Sequence, residues 1–331
     1  MADGDGFPRV SIILPTLNSE RLSPLCLKSI VDQRYPREKM EIIVVDGGSK
    51  DDTVRICEEF KVDKILTNPY GTEEIGRPIA IREATGKIIA LIDSDNILPD
   101  SDWMNSMLQP FSDDSIMATE PIGYTHRSID NGLTRYCSLI GADDPLYCYI
   151  GNYDRYCSFK DRWTDLPIPW TDFGSYLKLP LNPQMTSGAN GFLVRADALH
   201  KIKLVPFVHA DITKRLSELE NCYLAKVKTT IIHVHAKSWK VFAAKKLRRI
   251  RKWYTWKNTR DYYPPLDKLR LLKFVLSSMT FVPTLLDARK GYRRVPDSVW
   301  LVHPIACFVT LLTYTCGYIE QMFLGRLGRR E

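Results

Sequence analysis

The sequence predicts an α/β protein, a mostly parallel sheet flanked by helices, followed by a basic and apolar helical region. Three observations carry that expectation. Apolar runs over residues 10–18, 41–46 and 88–92 read as buried strands, with helical stretches between them. Strand, helix, strand, helix, strand is the order of a parallel sheet with right-handed crossovers. The last 95 residues, 237–331, instead concentrate cations and long apolar stretches.

The first strand, VSIILPTLN, is broken by Pro15. The second, EIIVVDGGSKDDT, ends at Asp46 and turns through Gly47 and Gly48, with Ser49 and Asp51 or Asp52 placed to cap a helix that begins near Thr53. The third, IIALIDSDN, runs through five apolar residues into Asp93 and Asp95. Two carboxylates thereby emerge at the C-terminal end of a buried strand, where parallel α/β sheets bind ligands. Such oxygen ligands suit Mg²⁺ or Mn²⁺ held partly by a substrate diphosphate. An isolated Asp-X-Asp also occurs in solvated turns and caps, so it is the ordered company of the other segments that gives the triplet its meaning.

Four segments, PTLN, VDGGSKDDT, GRPIAIREATGKIIALIDSDN and TSGANGFLVRADAL, occur in an order and spacing that resembles family 2 glycosyltransferases of the GT-A fold. The resemblance covers residues 8–235 and implies a GT-A, Rossmann-like catalytic domain over residues 8–236. It further implies that Pro15, Thr16, Asn18, Asp46 and Gly47 contact the nucleotide, and that Arg77, Asp93 and Ser94 belong to the same donor site. A carboxylate at Asp46 can accept from ribose hydroxyls or a uracil N–H, and a guanidinium at Arg77 can meet the diphosphate. Pro78 stands where the family usually has asparagine. The implied metal ligands are Asp93, Asp95 and His235, the last from the alternating pair in IIHVH. Asp211 in FVHAD is the implied general base, although His209 and Ala210 precede it in place of the usual acidic neighbour. It can alternatively cap the helix that follows, and Asp172 in WTDFGS is the reserve candidate. The loop TSGANGF has so little side-chain bulk that a sugar or lipid phosphate can approach its backbone; the alternative is a plain tight turn, which would look similar in sequence.

The net charge of +7 conceals an asymmetry: residues 237–294 carry 17 Lys and Arg against 3 Asp and Glu, while residues 1–236 sum to −7. KSWKVFAAKKLRRIRKWYTWKNTR interleaves cations with aromatics, a composition that suits nucleic acid or an anionic membrane surface. Two apolar stretches, residues 271–286 and 299–319, favour lipid over nucleic acid. The second holds 21 residues without a formal charge. Were either stretch to cross alone, the cations of DARKGYRR or GRLGRR would fall on the far side. The expectation is therefore in-plane or re-entrant helices at the cytoplasmic face of a membrane, with a hairpin or single span as the alternative. RIRKW, residues 249–253, only distantly echoes the Gln-x-x-Arg-Trp element of processive family members.

Eight cysteines without zinc spacing, behind a polar N-terminus, read as reduced thiols, although Cys137, Cys148 and Cys157 are near enough in sequence to pair. The functional expectation is an inverting, Mg²⁺- or Mn²⁺-dependent transferase. It would move a sugar from a nucleotide diphosphate sugar to a lipid-linked acceptor, either a polyprenyl phosphate or a polyprenyl-diphosphate saccharide. A soluble or polysaccharide acceptor, a nucleotidyltransferase and a non-catalytic membrane adaptor are the alternatives.

Overall fold

The computed structural model describes residues 6–263 and 267–327. The chain divides into two compact units, residues 1–125 with 167–233, and residues 126–166 with 234–331. The expected single boundary after residue 236 is thus replaced by one near 233, and an inserted segment, 126–166, groups with the C-terminal helices. Of the cations expected to flank the last apolar stretch, Arg329 and Arg330 lie outside the described residues.

In the first unit, β1 (Val10–Thr16) pairs in parallel with β2 (Met40–Asp46) on one side and β4 (Ile88–Leu91) on the other. Helix α1 (Ser23–Val31) links β1 to β2, α2 (Thr53–Glu59) leads to the short edge strand β3 (Lys64–Thr67), and α3 (Glu73–Glu83) leads to β4. Residues 26, 27 and 30 of α1 turn one face into the core, the spacing of a helix lying on a sheet. After β5 (Asn96–Ile97), α4 (Trp103–Leu108) and β6 (Ile116–Tyr124) comes the insert with α5 (Gly132–Ile140) and α6 (Pro145–Ile150). The chain then makes the hairpin β7 (Thr171–Asp172) and β8 (Tyr176–Pro180), followed by β9 (Phe192–Arg195), α7 (Ala196–His200), α8 (His209–Ser217) and β10 (Tyr223–His233).

The sheet order is β3-β2-β1-β4-β9-β6-β10-β8-β7, with β5 on β10. The block β3-β2-β1-β4 is parallel, as expected, but the rest is mixed because β9 enters antiparallel to both β4 and β6. Register places the C-terminal ends of β1, β2 and β4 together: Thr16 faces Asp46, and Ile13 faces Leu91 two residues before Asp93. The core beneath is the apolar face of these strands, including Ile12, Leu14, Ile42, Val44 and Ala90, with Trp103 of α4 packed into it.

The second unit packs α5 and α6 with α9 (Trp239–Trp256), α10 (Lys268–Thr280), α11 (Val282–Arg294) and α12 (Val302–Leu327). The expected apolar stretch 271–286 is not one helix. It bends by 91° between α10 and α11, where Phe281 takes φ +61° and Pro283 opens the next helix. Pro304 does not break α12, because it lies in the first turn, where its missing N–H has no helical partner to lose. Arg249, the echo of the processive element, is bound to Asp143 (2.5 Å), Asp144 (2.8 Å) and the Tyr314 hydroxyl (3.2 Å), so it ties α9 to α12 and to the start of α6. All eight thiols are free, and Cys148 and Cys157 face each other with Sγ atoms 3.9 Å apart.

Candidate active site in the first unit

The strand ends deliver the expected residues to one edge of the parallel block. Asp46 closes β2, and its two oxygens are engaged by the loop that follows: Oδ2 accepts from the backbone N–H of Gly48 and of Ser49, each at 2.9 Å, and Oδ1 accepts from Ser49 Oγ (2.5 Å) and Thr16 Oγ1 (3.3 Å). Four bonds fill the acceptor capacity of a carboxylate, so Asp46 shapes the turn. Asn18, at φ +50°, joins the same turn from β1: its N–H donates to Ser49 Oγ and its Oδ1 accepts from Lys50 N–H. Gly47 is close-packed, since a Cβ there would lie 3.3 Å from Gly71 Cα. Asp52 is the N-cap of α2 but makes no side-chain cap bond; Asp51, one residue earlier, accepts from Thr53 N–H through Oδ1 at 3.1 Å.

Beyond β4, the Arg77 guanidinium, itself buried, pairs with Asp93 and lies 3.2 Å from Glu73. Ser94 Oγ is 3.0 Å from Ser19 Oγ, which joins the β4 end to the loop after β1. Pro15 sits one residue before the end of β1 in this same cluster. Asp95 Oδ2 lies 3.3 Å from His233 Nε2. The alternation of IIHVH points to two histidines on one face, but β10 ends at His233 and His235 belongs to the second unit. The antiparallel pairing of β5 and β10 sets His233 opposite Asn96 and so brings its imidazole beside Asp95.

Asn96 is fully buried and joins the pieces. Its Oδ1 accepts from Asp93 N–H at 3.0 Å and its Nδ2 donates to Asn190 Oδ1 at 3.0 Å; Asn190 Nδ2 donates in turn to the Tyr124 hydroxyl at 3.2 Å. Tyr124 packs against the His233 ring, with centroids 5.4 Å apart, so the chain of contacts returns to Asp95.

The TSGANGF loop is held from both sides. Gly188 donates its N–H to Glu120 Oε1 (3.3 Å) and accepts from His209 Nδ1 (2.5 Å), while Thr213 donates to the Ser187 carbonyl (2.5 Å). Glu120 faces Lys226 across β6 and β10 in an ion pair from which solvent is excluded. Asp211 lies in the first turn of α8, fully buried. A carboxylate there complements the positive end of the helix. The reserve candidate, Asp172, sits on the edge strand β7 and pairs with Lys228 at 2.8 Å. Five strand spacings separate β7 from β4, roughly 24 Å across the sheet.

His209, His233, Asn96, Asn190, Tyr124 and the Glu120–Lys226 pair are the participants that the motifs alone do not identify. A buried Glu and a buried Lys in two separate apolar runs carry a faint signal, but only the register of β6 on β10 makes them partners.

Among the described residues no group of three or more His, Cys, Asp or Glu side chains is placed to hold a metal ion. The donors present are nonetheless of the type a hard divalent cation takes when a diphosphate supplies part of its shell: two carboxylates, one of which, Asp95, has an imidazole beside it.

Residues 11–135 match the family described as Glycosyl transferase family 2. The poly(ribitol-phosphate) beta-N-acetylglucosaminyltransferase TarS of Staphylococcus aureus is 34% identical over 98 residues, which cover 27% of this chain and 17% of that protein. The UDP-Glc:alpha-D-GlcNAc-diphosphoundecaprenol beta-1,3-glucosyltransferase WfgD of Escherichia coli is 37% identical over 103 residues, 30% of this chain and 38% of that one. The matched segments thus span well under half of these relatives. In fold, the chain resembles the mannosyltransferase PcManGT of Pyrobaculum calidifontis, solved with GDP-Man and Mn²⁺, with a TM-score of 0.51, 15% identity, and coverage of 94% of this chain and 88% of that one.

Proposed function

We propose that this chain, which carries a family 2 glycosyltransferase domain, is an inverting, metal-dependent glycosyltransferase. It takes a sugar from a nucleotide diphosphate sugar and transfers it to a lipid-linked acceptor, a polyprenyl phosphate or a polyprenyl-diphosphate saccharide. The observation that carries the reading is the grouping of Asp93, Asp95, Arg77 and His233 at the carboxyl end of β4. Asp93 and Asp95, with His233 beside them, would hold Mg²⁺ or Mn²⁺. Bound there, the ion would neutralise charge on the departing diphosphate. Pro15, Thr16, Asn18, Asp46 and Gly47 form the wall against which the nucleotide lies, and Ser94 closes it next to Asp93. Arg77 orients the diphosphate by exchanging part of its contact with Asp93 for phosphate oxygens. Asp211 takes the proton of an acceptor hydroxyl that attacks the anomeric carbon from the face opposite the leaving group. A phosphate acceptor is already ionised and needs little such help.

The second unit supports a lipid acceptor. Leu269, Leu272, Leu276 and Met279 are exposed at helical spacing on α10, and Val282, Leu285 and Leu286 continue that surface on α11. Exposed apolar area of this extent calls for a covering phase, and the 14 net positive charges in residues 237–294 match an anionic surface. Ser298–Phe323 is long and apolar enough to cross a membrane. A polymer acceptor, the class printed in the name of the TarS relative, is the second reading.

Thermal-shift screening of sugar nucleotides with Mn²⁺ tests the donor claim, because a ligand that binds the folded state raises its melting temperature by mass action. Stabilisation by one sugar nucleotide, followed by its slow hydrolysis, is the expected result; no response from any of them defeats the reading.

A further inference from the structure

The orientation of one imidazole points to a substrate contact that the motifs do not predict. Gly188 O is a carbonyl and can only accept, so His209 Nδ1, 2.5 Å away, carries the hydrogen. Burial, and then the positive charge of Arg77, lower the pKa of this imidazole, which favours the neutral ring and leaves Nε2 with an open lone pair. Among the described residues nothing donates a hydrogen bond to that lone pair. The ring cannot easily turn away. It meets Phe207 in an edge-to-face pair, with centroids 6.0 Å apart and planes at 84°, and the Arg77 guanidinium lies over the same phenyl ring, 5.7 Å from its centroid. Phe207 thus touches both His209 and the cation that pairs with Asp93. His209 is only partly buried, whereas Asp211, two residues on, is fully buried.

We propose that His209 is a specificity-determining residue whose Nε2 accepts a hydrogen bond from a substrate hydroxyl, while Nδ1 locks the ring on Gly188. The inference rests on the glycosyltransferase reading of this site. A lone pair cannot donate, so the contact selects a hydroxyl and not a phosphate or carboxylate oxygen. The hydroxyl belongs either to the donor sugar or to the acceptor.

The test exploits the two nitrogens. In the full-length protein, His209→Asn keeps a donor for Gly188 but removes the distal acceptor, and His209→Gln places an amide oxygen at the distal position. The expected result is a fall of about 10- to 100-fold in kcat/KM for His209→Asn, with partial recovery in His209→Gln. A contact to the donor sugar weakens donor binding and donor hydrolysis by water as well. A contact to the acceptor leaves both unchanged and lowers transfer only. Full activity in His209→Asn, or a His209→Gln variant no better than His209→Asn, overturns the proposal. Nitrogen-15 NMR of histidine-labelled wild-type protein gives an independent reading: Nε2 must resonate as an unprotonated imidazole nitrogen, and a proton on Nε2 overturns the assignment without any variant. Absence of glycosyl transfer in the wild type would instead defeat the broader functional reading.

Discussion

His233 Nε2 stands 3.3 Å from Asp95 Oδ2, although 138 positions separate the two residues in the chain. The pairing of β5 with β10 sets this distance, since it places His233 opposite Asn96 and hence beside Asp95. A carboxylate and an imidazole so held are the donor types that the proposed divalent cation would use.

Asp95→Asn should lower metal-dependent turnover by about 10²-fold or more with the fold intact, because it removes a charged ligand at a partly exposed position. His233→Ala should raise the Mn²⁺ concentration needed for half-maximal activity by about 10- to 100-fold. Titration of activity with Mn²⁺ decides both; near-normal turnover in Asp95→Asn excludes the metal role.

Asp211→Asn should reduce turnover by about 10²-fold or more while leaving the dissociation constant of the donor unchanged, if Asp211 removes the acceptor proton. Calorimetric donor binding measured alongside turnover separates the two effects. Unchanged turnover would transfer the proton to another group or to the acceptor itself.

The Glu120–Lys226 pair is fully shielded from solvent and also fixes Gly188. Glu120→Ala removes the carboxylate that faces the buried Lys226 ammonium and should cost about 3–5 kcal/mol in stability, measured by urea unfolding. Replacing both residues by apolar ones of similar volume should cost much less. A Glu120→Ala loss below about 1 kcal/mol would show that water or another group reaches Lys226.

Exposed Leu272, Leu276 and Leu286 are proposed to enter lipid. Changing all three to Glu should leave the melting temperature nearly unchanged and release the protein from anionic vesicles, since each buried leucine contributes about 1.5–3 kcal/mol. Co-sedimentation in high salt, which suppresses the electrostatic share of binding, reads the difference. Equal recovery of wild type and variant in the supernatant would refute the membrane proposal.

The sequence by itself determined the parallel block and its carboxylates, because five apolar residues ending in Asp93 leave few alternatives to a buried strand with its chemistry at the tip. It also determined that the C-terminal region is helical, basic and apolar. Tertiary structure alone decided which distant groups meet. Asn96 reaches Asn190, Lys226 reaches Glu120, and His233 reaches Asp95, since strand register is a collective outcome of packing that local periodicity does not encode. The grouping of residues 126–166 with the C-terminal helices arises in the same way, from the burial of faces contributed by segments far apart in the chain.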